Sequence, residues 1–418
     1  MIIILATGYI SCKKVYAPQL SSVSTNFLAV DGPIISGDST FIRLSRTTSL
    51  TDTTQNKAEL KATVAVESDQ NTLYPLIEKG KGLYVLGIAN FDTNRKYRLD
   101  IKTSNGKIYQ SDFVPMKTTP PIDSMYFKQT QADEITFYVD SHDPGNNTRY
   151  YRWDYKDTWA YVPIYHTNYL YKNGIISAVV KDSPDDINIC YSTANSNQII
   201  IGSTAKLAQD EMKQQPLFSI TSASEKIAHV YTIQVRQYAL TKEAFEYYQN
   251  LKTNTEQLGS IFDPQASTLK GNIHCVTNPA ELVIGFINAS TVANLQYNLL
   301  EKNDPLNPPQ INLGTTGINS YAYPKPYFEQ CVVSAGSNGT VSTGSAWSFA
   351  FPNVPDLNKQ SPQFYVRANR ALASGDSLLF DIQSIYPLLA YLYAPKACVD
   401  CRLRGGTNIR PTYFPPVR

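Results

Sequence analysis

Two acidic groups carry the oxygen ligands that Ca²⁺ prefers in proteins. One consists of Asp140, His142 and Asp143, and the other of Asp182, Asp185 and Asp186. Neither group has the spacing of an EF-hand loop, and solvated carboxylates in turns explain both more simply. We therefore predict no metal site at either group.

The histidines and serines lack the spacing of a catalytic centre. The four histidines, His142, His166, His229 and His274, are scattered along the chain and form no HExxH motif. The sequence has no G-x-S-x-G nucleophile elbow and no glycine-rich phosphate loop. We therefore predict that the protein is not an enzyme and uses no cofactor.

An aromatic stretch at residues 150–171 is the strongest candidate for a binding surface. Tyr151, Trp153 and Tyr155 alternate with charged residues, which predicts one aromatic face on a strand, most simply the core of a sandwich. Further aromatic residues follow in a predicted insertion between Asp154 and Asp186 and are candidate contacts with a ligand or partner: Trp159, Tyr161, Tyr165 and Tyr169. Local packing of the insertion is the alternative interpretation of these four residues.

The N-terminus has the pattern of a secretory signal. An apolar run begins at Met1, is too short to span a bilayer, and ends at Ser11-Cys12. A small residue directly before a cysteine resembles the lipobox of bacterial lipoproteins, in which the cysteine is acylated. We predict lipidation at Cys12; a buried N-terminal strand with an incidental cysteine is the alternative.

Five cysteines remain after Cys12, so at least one thiol cannot pair within the chain. Cys398-Val-Asp-Cys401 has the spacing of a zinc knuckle, but no second pair completes a metal site. In an exported protein we expect a disulfide that clamps the tail, with Cys398 or Cys401 bonded to Cys331 or Cys275.

Composition limits the possible partners. Charged residues make up 17% of the 418 residues and the formal net charge is +2, so no basic surface for nucleic acid is indicated. The 29 tyrosines suit recognition surfaces, although tyrosines in strand positions of a β protein are the simpler explanation for most of them.

Short alternating strands separated by turn signals predict a mainly β fold. We expect tandem immunoglobulin- or fibronectin-like sandwiches, one amphipathic helix and an irregular C-terminal β region. The predicted division is a signal and tether at 1–24, a sandwich at 25–119, a second sandwich with the aromatic insertion at 122–240, and the helix with the remaining β region at 241–418. A stiff Thr-Thr-Pro-Pro linker separates the sandwiches.

One convincing helix begins after Thr241, a residue with the side chain of an N-cap. Its apolar positions are Ala244, Tyr248, Leu251 and Leu258, and Gly259 stands where the helix should end. We expect this helix to dock on a sheet and to join two β domains.

Five segments resemble a Bacteroidota lipoprotein family known only as domain-of-unknown-function family four-two-four-nine. These segments are 241–252, 259–264, 271–275, 283–286 and the tail 398–408. The resemblance implies an outer-membrane lipoprotein, often encoded beside a TonB-dependent receptor. It carries no assigned catalytic residues.

Together these observations favour a lipid-anchored outer-membrane protein that acts as an accessory binding subunit of a TonB-dependent transport system, on the periplasmic or the cell-surface side. A structural or adhesive surface protein, with the sandwiches as spacers, is the second hypothesis. A hydrolase of envelope polymers is disfavoured because the sequence has no nucleophile or metal constellation.

Overall fold

The computed structural model describes residues 26–48, 57–131, 134–163, 169–172, 175–181, 183–221, 224–227, 229–256, 269–299, 347–350, 376–379, 390–395 and 400–415. Strands dominate these ranges. The first ten are β1 (Leu28–Asp31), β2 (Ile34–Ser36), β3 (Thr40–Arg46), β4 (Lys57–Ala58), β5 (Thr63–Ser68), β6 (Leu73–Gly80), β7 (Leu83–Leu86), β8 (Lys96–Lys102), β9 (Ile108–Ser111) and β10 (Val114–Lys117).

The middle of the chain continues with β11 (Ile122–Gln131), β12 (Glu134–His142), β13 (Tyr150–Tyr161), β14 (Tyr169–Lys172), β15 (Ile175–Ala178), β16 (Cys190–Asn195), β17 (Ile200–Ser203), β18 (Glu211–Thr221) and β19 (Tyr231–Ala239). A 3₁₀ turn, Glu225–Ile227, precedes β19, and helix α1 (Lys242–Glu256) follows it. After the helix come β20 (Ile273–Cys275), β21 (Val283–Ile284), β22 (Ala289–Leu299), β23 (Trp347–Ala350), β24 (Asp376–Leu379) and β25 (Ala390–Pro395), then a second 3₁₀ turn, Cys401–Arg404.

The chain forms two compact units, which confirms a mainly β protein with immunoglobulin- and fibronectin-like sandwiches and one helix. The described residues of unit 1 fall within Met1–Ile34, Ser39–Pro115 and Leu269–Asn288. Those of unit 2 fall within Ile35–Asp38, Met116–Thr268 and Ala289–Arg418. Unit 1 is therefore discontinuous in sequence, whereas the predicted domains are continuous stretches of chain with boundaries near residues 119 and 240.

Unit 1 consists of two sheets that share a strand. One sheet runs β21–β1–β3–β7–β6 and the other β6–β5–β8–β9–β20. Alternate residues point inward because successive side chains of a strand face opposite sides. Ile42 and Leu44 of β3, and Leu99 and Ile101 of β8, are accordingly fully buried.

Unit 2 packs two antiparallel sheets around an aromatic core. The smaller sheet is β11–β12–β18. In the larger one, β13 pairs with β19 on one side and with β17 and then β16 on the other, and β22 lies beyond β19. Phe137, Trp153 and Tyr231 are among the largest fully buried side chains between these sheets.

Helix α1 belongs to unit 2 and begins as the sequence predicts. The Thr241 hydroxyl accepts a hydrogen bond from the Ala244 N–H at 3.2 Å, the geometry of an N-cap. The buried face consists of Ala244, Tyr247 and Tyr248 and contacts β13 and β17. Leu258 and Gly259 lie outside the described residues.

The residues after the helix return to unit 1, where β20 pairs with β9 and β21 runs parallel to β1. Gly285 makes this return possible. Its φ is +140°, and a Cβ there would lie 2.2 Å from the Val30 carbonyl oxygen. No helix in the described ranges is long and apolar enough to cross a membrane.

We expect Gly285→Ala to destabilise unit 1 by more than about 1 kcal/mol, because alanine is strained at this φ and collides with backbone. Amide hydrogen exchange of β1 and β20 measures the loss. Gly87→Ala is the matched control, since a Cβ at Gly87 meets nothing within 4 Å. Equal protection in the two variants would contradict this account of the turn.

Candidate functional site

Two of the predicted aromatic contacts, Trp159 and Tyr161, lie on a strand and not in a loop. Strand β13 does not stop at Asp154 but runs to Tyr161, because residues 156–161 pair with β16. Tyr161 is 3% exposed, and its hydroxyl donates to the Cys401 carbonyl oxygen at 2.9 Å. Tyr161 is therefore a packing residue, which corrects the expectation of a loop contact.

Trp159 is partly buried and packs against the core of unit 2. The side chains of Tyr165 and Tyr169 lie outside the described residues, although the backbone of Tyr169 begins β14. Of the four aromatic residues predicted as contacts, the structure thus assigns packing to two and leaves the role of the other two a prediction.

A charged cluster lies on the inner face of β13, among aromatic residues. The Asp157 side chain is 1% exposed, and its Oδ2 lies 2.5 Å from Lys226 Nζ and 2.8 Å from the Tyr231 hydroxyl. Lys226 Nζ also stands 4.9 Å from the centre of the Trp159 ring. We call Asp157, Trp159, Lys226 and Tyr231 the β13 cluster.

Burial controls the acid–base state of the tyrosines around this cluster. Burial, followed by the charge of Asp157 and its hydrogen bond, raises the pKa of Tyr231 far above the ordinary value. Burial also raises the pKa of Tyr155 to about 12, with a smaller contribution from Asp157. Both hydroxyls therefore stay protonated at neutral pH, and Tyr231 remains a hydrogen-bond donor to the carboxylate.

The tail segment, residues 400–415, packs on unit 2 beside strands β13 and β16. The backbones of Tyr191 and Thr407 exchange two hydrogen bonds, of 2.7 and 3.0 Å. The Phe414 ring packs edge-on against Tyr191 with 5.2 Å between ring centres. The guanidinium of Arg404 pairs with Glu225 and covers the ring of Tyr161.

A disulfide fixes this tail, but its partner differs from the expected one. Cys401 is bonded to Cys190, which lies 211 positions earlier. Cys275 is a free, buried thiol in unit 1, and the structure therefore contradicts its predicted role in the tail clamp. Cys331 and Cys398 lie outside the described residues. Cys190 was missed because cysteine spacing along the chain does not reveal pairing between distant strands.

Asp143 behaves as the sequence predicts for a carboxylate in a turn, whereas Asp140 and His142 lie in strand β12. Both oxygens of Asp143 accept backbone N–H groups, from Gly145 at 2.9 Å, Asn147 at 2.8 Å and Thr148 at 2.9 Å. His142 pairs instead with Asp123. Within the described ranges, no group of three or more His, Cys, Asp or Glu side chains is arranged to hold a metal ion. Asp182 lies outside those ranges.

An exposed apolar row crosses the outer face of one sheet of unit 1. Phe41 on β3 and Ile77 on β6 both lie opposite Val85 on β7, so the three side chains share a face. Phe41 is 46% exposed and Ile77 64% exposed. We call Phe41, Val85 and Ile77 the apolar row. The sequence shows alternation in these strands, but only the pairing reveals that the three residues are neighbours.

The model of the family described as a domain of unknown function (DUF4249) matches residues 13–296. The chain belongs to this family. The family match includes all of unit 1 from residue 13, together with β11–β19 and α1 of unit 2. It stops before the tail segment, so the resemblance of the tail to the family's terminal motif stays a prediction.

Other comparisons add little to the DUF4249 match. No curated protein matches the chain. A segment of two fibronectin type III domains from chicken tenascin is 10% identical and aligns over 51% of this chain and 90% of its own, with a TM-score of 0.16. The chitinase ChiA74 from Bacillus thuringiensis is 7% identical over 48% of this chain and 27% of its own, with a TM-score of 0.15. Likenesses this weak carry no argument about function.

Removal of the disulfide should destabilise unit 2. We expect Cys401→Ser to lower its free energy of unfolding by about 2–5 kcal/mol, because the bond closes a very long loop. Chemical denaturation with and without reductant measures this. Reductant should lower the stability of the wild type to that of the variant. Cys275→Ala is the control, since it removes a buried thiol that forms no disulfide. A wild type insensitive to reductant would contradict the role of the disulfide.

The turn at Asp143 should give unit 2 a stability that depends on pH. Burial raises the pKa of Asp143, but the backbone N–H donors outweigh burial and lower the pKa below its ordinary value. The carboxylate therefore stabilises the fold above the unfolded-state pKa of about 3.9, and the effect is lost as pH falls through the lower folded-state pKa.

We expect Asp143→Ala to cost about 0.5–1.5 kcal/mol at neutral pH, because three backbone N–H groups of the turn lose their acceptor, and less in acid. Denaturation curves at several pH values measure the difference. Glu211→Ala removes an exposed carboxylate that forms an ion pair with Lys213, and should change stability by less than about 0.5 kcal/mol. A cost for Asp143→Ala that is independent of pH would refute the assignment.

Proposed function

We propose that this protein is an exported, lipid-anchored outer-membrane protein that serves as an accessory binding subunit of a TonB-dependent transport system. The observation that supports export is the disulfide between Cys190 and Cys401, because structural disulfides persist in oxidising compartments and are rare in the cytosol. The anchor is Cys12, at the end of the apolar N-terminal run.

The apolar row supports binding of a protein partner. Scattered exposed apolar residues are normal, whereas neighbouring ones on a sheet face are typical of an interaction surface. Phe41 offers an aromatic anchor, and Ile77 and Val85 extend the same face across two more strands. The partner in this proposal is the TonB-dependent receptor, and the binding step requires no catalytic residue and no cofactor.

A structural or adhesive role is the second candidate. Each unit buries a core of its own, which suits rigid spacers on a cell surface. In that role the apolar row would make no contact with a transporter. The two candidates therefore differ in what the row binds within the intact envelope.

We expect the double variant Phe41→Ser, Ile77→Ser to lose the receptor when the tagged protein is purified from outer membranes. Loss of an aromatic anchor and its neighbour should weaken the complex about 10-fold or more. Leu207→Ser, at an exposed leucine of unit 2, is the matched control and should retain the receptor. Circular dichroism and melting curves establish that all variants fold.

Capture of the receptor by both variants would remove the apolar row from the proposal, and failure of the wild type to capture any receptor would favour the structural role.

Cys12→Ala tests the anchor separately. We expect it to move the protein into the soluble fraction, because the acyl chains hold it at the membrane. Membrane retention of Cys12→Ala would contradict lipidation at this residue.

A further inference from the structure

Asp157 is buried in the sandwich of unit 2 and is in contact with Lys226, whose side chain is 32% exposed. Asp157 projects from the inner face of β13, on the same side as Trp153, Tyr155 and Trp159, because these residues are two apart along the strand. Lys226 approaches from the 3₁₀ turn before β19 and places Nζ 2.5 Å from Asp157 Oδ2. The amine and the carboxyl carbon are therefore positioned as neighbours by the fold.

The environment is unfavourable for an ordinary ion pair. Asp157 is 1% exposed, and its second oxygen, Oδ1, has no hydrogen-bond partner among the described residues. The indole N–H of Trp159 is likewise buried without a partner there. A buried carboxylate with an unsatisfied oxygen loses much of its hydration without full compensation. A product without charge would remove that cost.

We propose that Lys226 and Asp157 condense into an intramolecular amide, an isopeptide bond that links β13 to the segment before β19. The ammonium first passes one proton to the carboxylate, which leaves a neutral amine and a carboxylic acid. The Nζ lone pair then attacks Cγ and forms the C–N bond. The C–O bond breaks, and the hydroxyl leaves as water with a second proton from nitrogen. The reaction needs no oxidant, reductant or other reactant.

Tyr231 is the group placed to assist this reaction. Its hydroxyl donates to Asp157 Oδ2 at 2.8 Å, so it touches a reacting atom. Because its pKa is raised by burial and by Asp157, it keeps its proton and can stabilise the negative charge that develops on oxygen during attack. Fixed proximity of Nζ and Cγ supplies the remaining advantage, since the step is intramolecular.

The product would connect positions 69 residues apart. Together with the disulfide between Cys190 and Cys401, it would give unit 2 two covalent links, of which reductant can open only one. This inference is independent of the proposed receptor, because the bond forms within the chain.

Peptide mapping of the full-length protein, purified from the cells that export it, tests the proposal. We expect trypsin to release a branched peptide in which the segment that begins at Asp157 is joined to residues 214–236, uncut after Lys226 and lighter than the two segments together by one water. Recovery of residues 157–172, 214–226 and 227–236 as separate peptides in full yield would show an ordinary ion pair only and would overturn the proposal.

Three variants identify the chemistry. Lys226→Arg keeps the charge and should give no branched peptide. Asp157→Asn should still cross-link, with loss of ammonia in place of water. Tyr231→Phe should lower the cross-linked fraction at a fixed time after synthesis, as expected for a group that assists attack; an unchanged fraction would remove Tyr231 from the reaction. The wild-type digest decides the main question even if a variant fails to fold.

Discussion

The pairing of β13 on both edges is the constraint on which unit 2 depends. Its residues 151–159 are bonded to β19, and its other edge is shared between β17 and β16. A strand held in this way cannot shift by one residue without turning its aromatic face outward. The core, the docking surface of α1 and the attachment of the tail segment are all built on this one register.

Polar groups in an aromatic interior normally form hydrogen bonds with one another. Gln237 is fully buried, and its oxygen accepts from the Trp153 indole at 2.7 Å while its nitrogen donates to the Pro120 carbonyl oxygen and the Ser141 hydroxyl. Around Asp157 the pairing is incomplete. Gln237 and Asp157 lie in the same core, but only Gln237 has hydrogen bonds to both polar atoms of its side chain. This difference makes the β13 cluster chemically unusual.

Local features were readable from the sequence, and features made by distant pairing were not. The aromatic face of β13 follows from alternation, the start of α1 from Thr241, and the turn at Asp143 from its carboxylate; each depends on neighbours along the chain. The length of β13, the partner of Cys401 and the apolar row depend on strands that meet only after folding. The prediction of the tail clamp was right about Cys401 and wrong about Cys275 for this reason.

The return of residues 269–288 to unit 1 bears on how the chain is made. β21 and β20 each supply an edge strand to one sheet of unit 1, and the other strands of both sheets precede β11, so the ribosome must synthesise β11–β19 and α1 before unit 1 has all its strands. The usual order, in which an N-terminal domain finishes first, is not open to this molecule. Its early strands must therefore stay unaggregated until residues 269–288 have been synthesised.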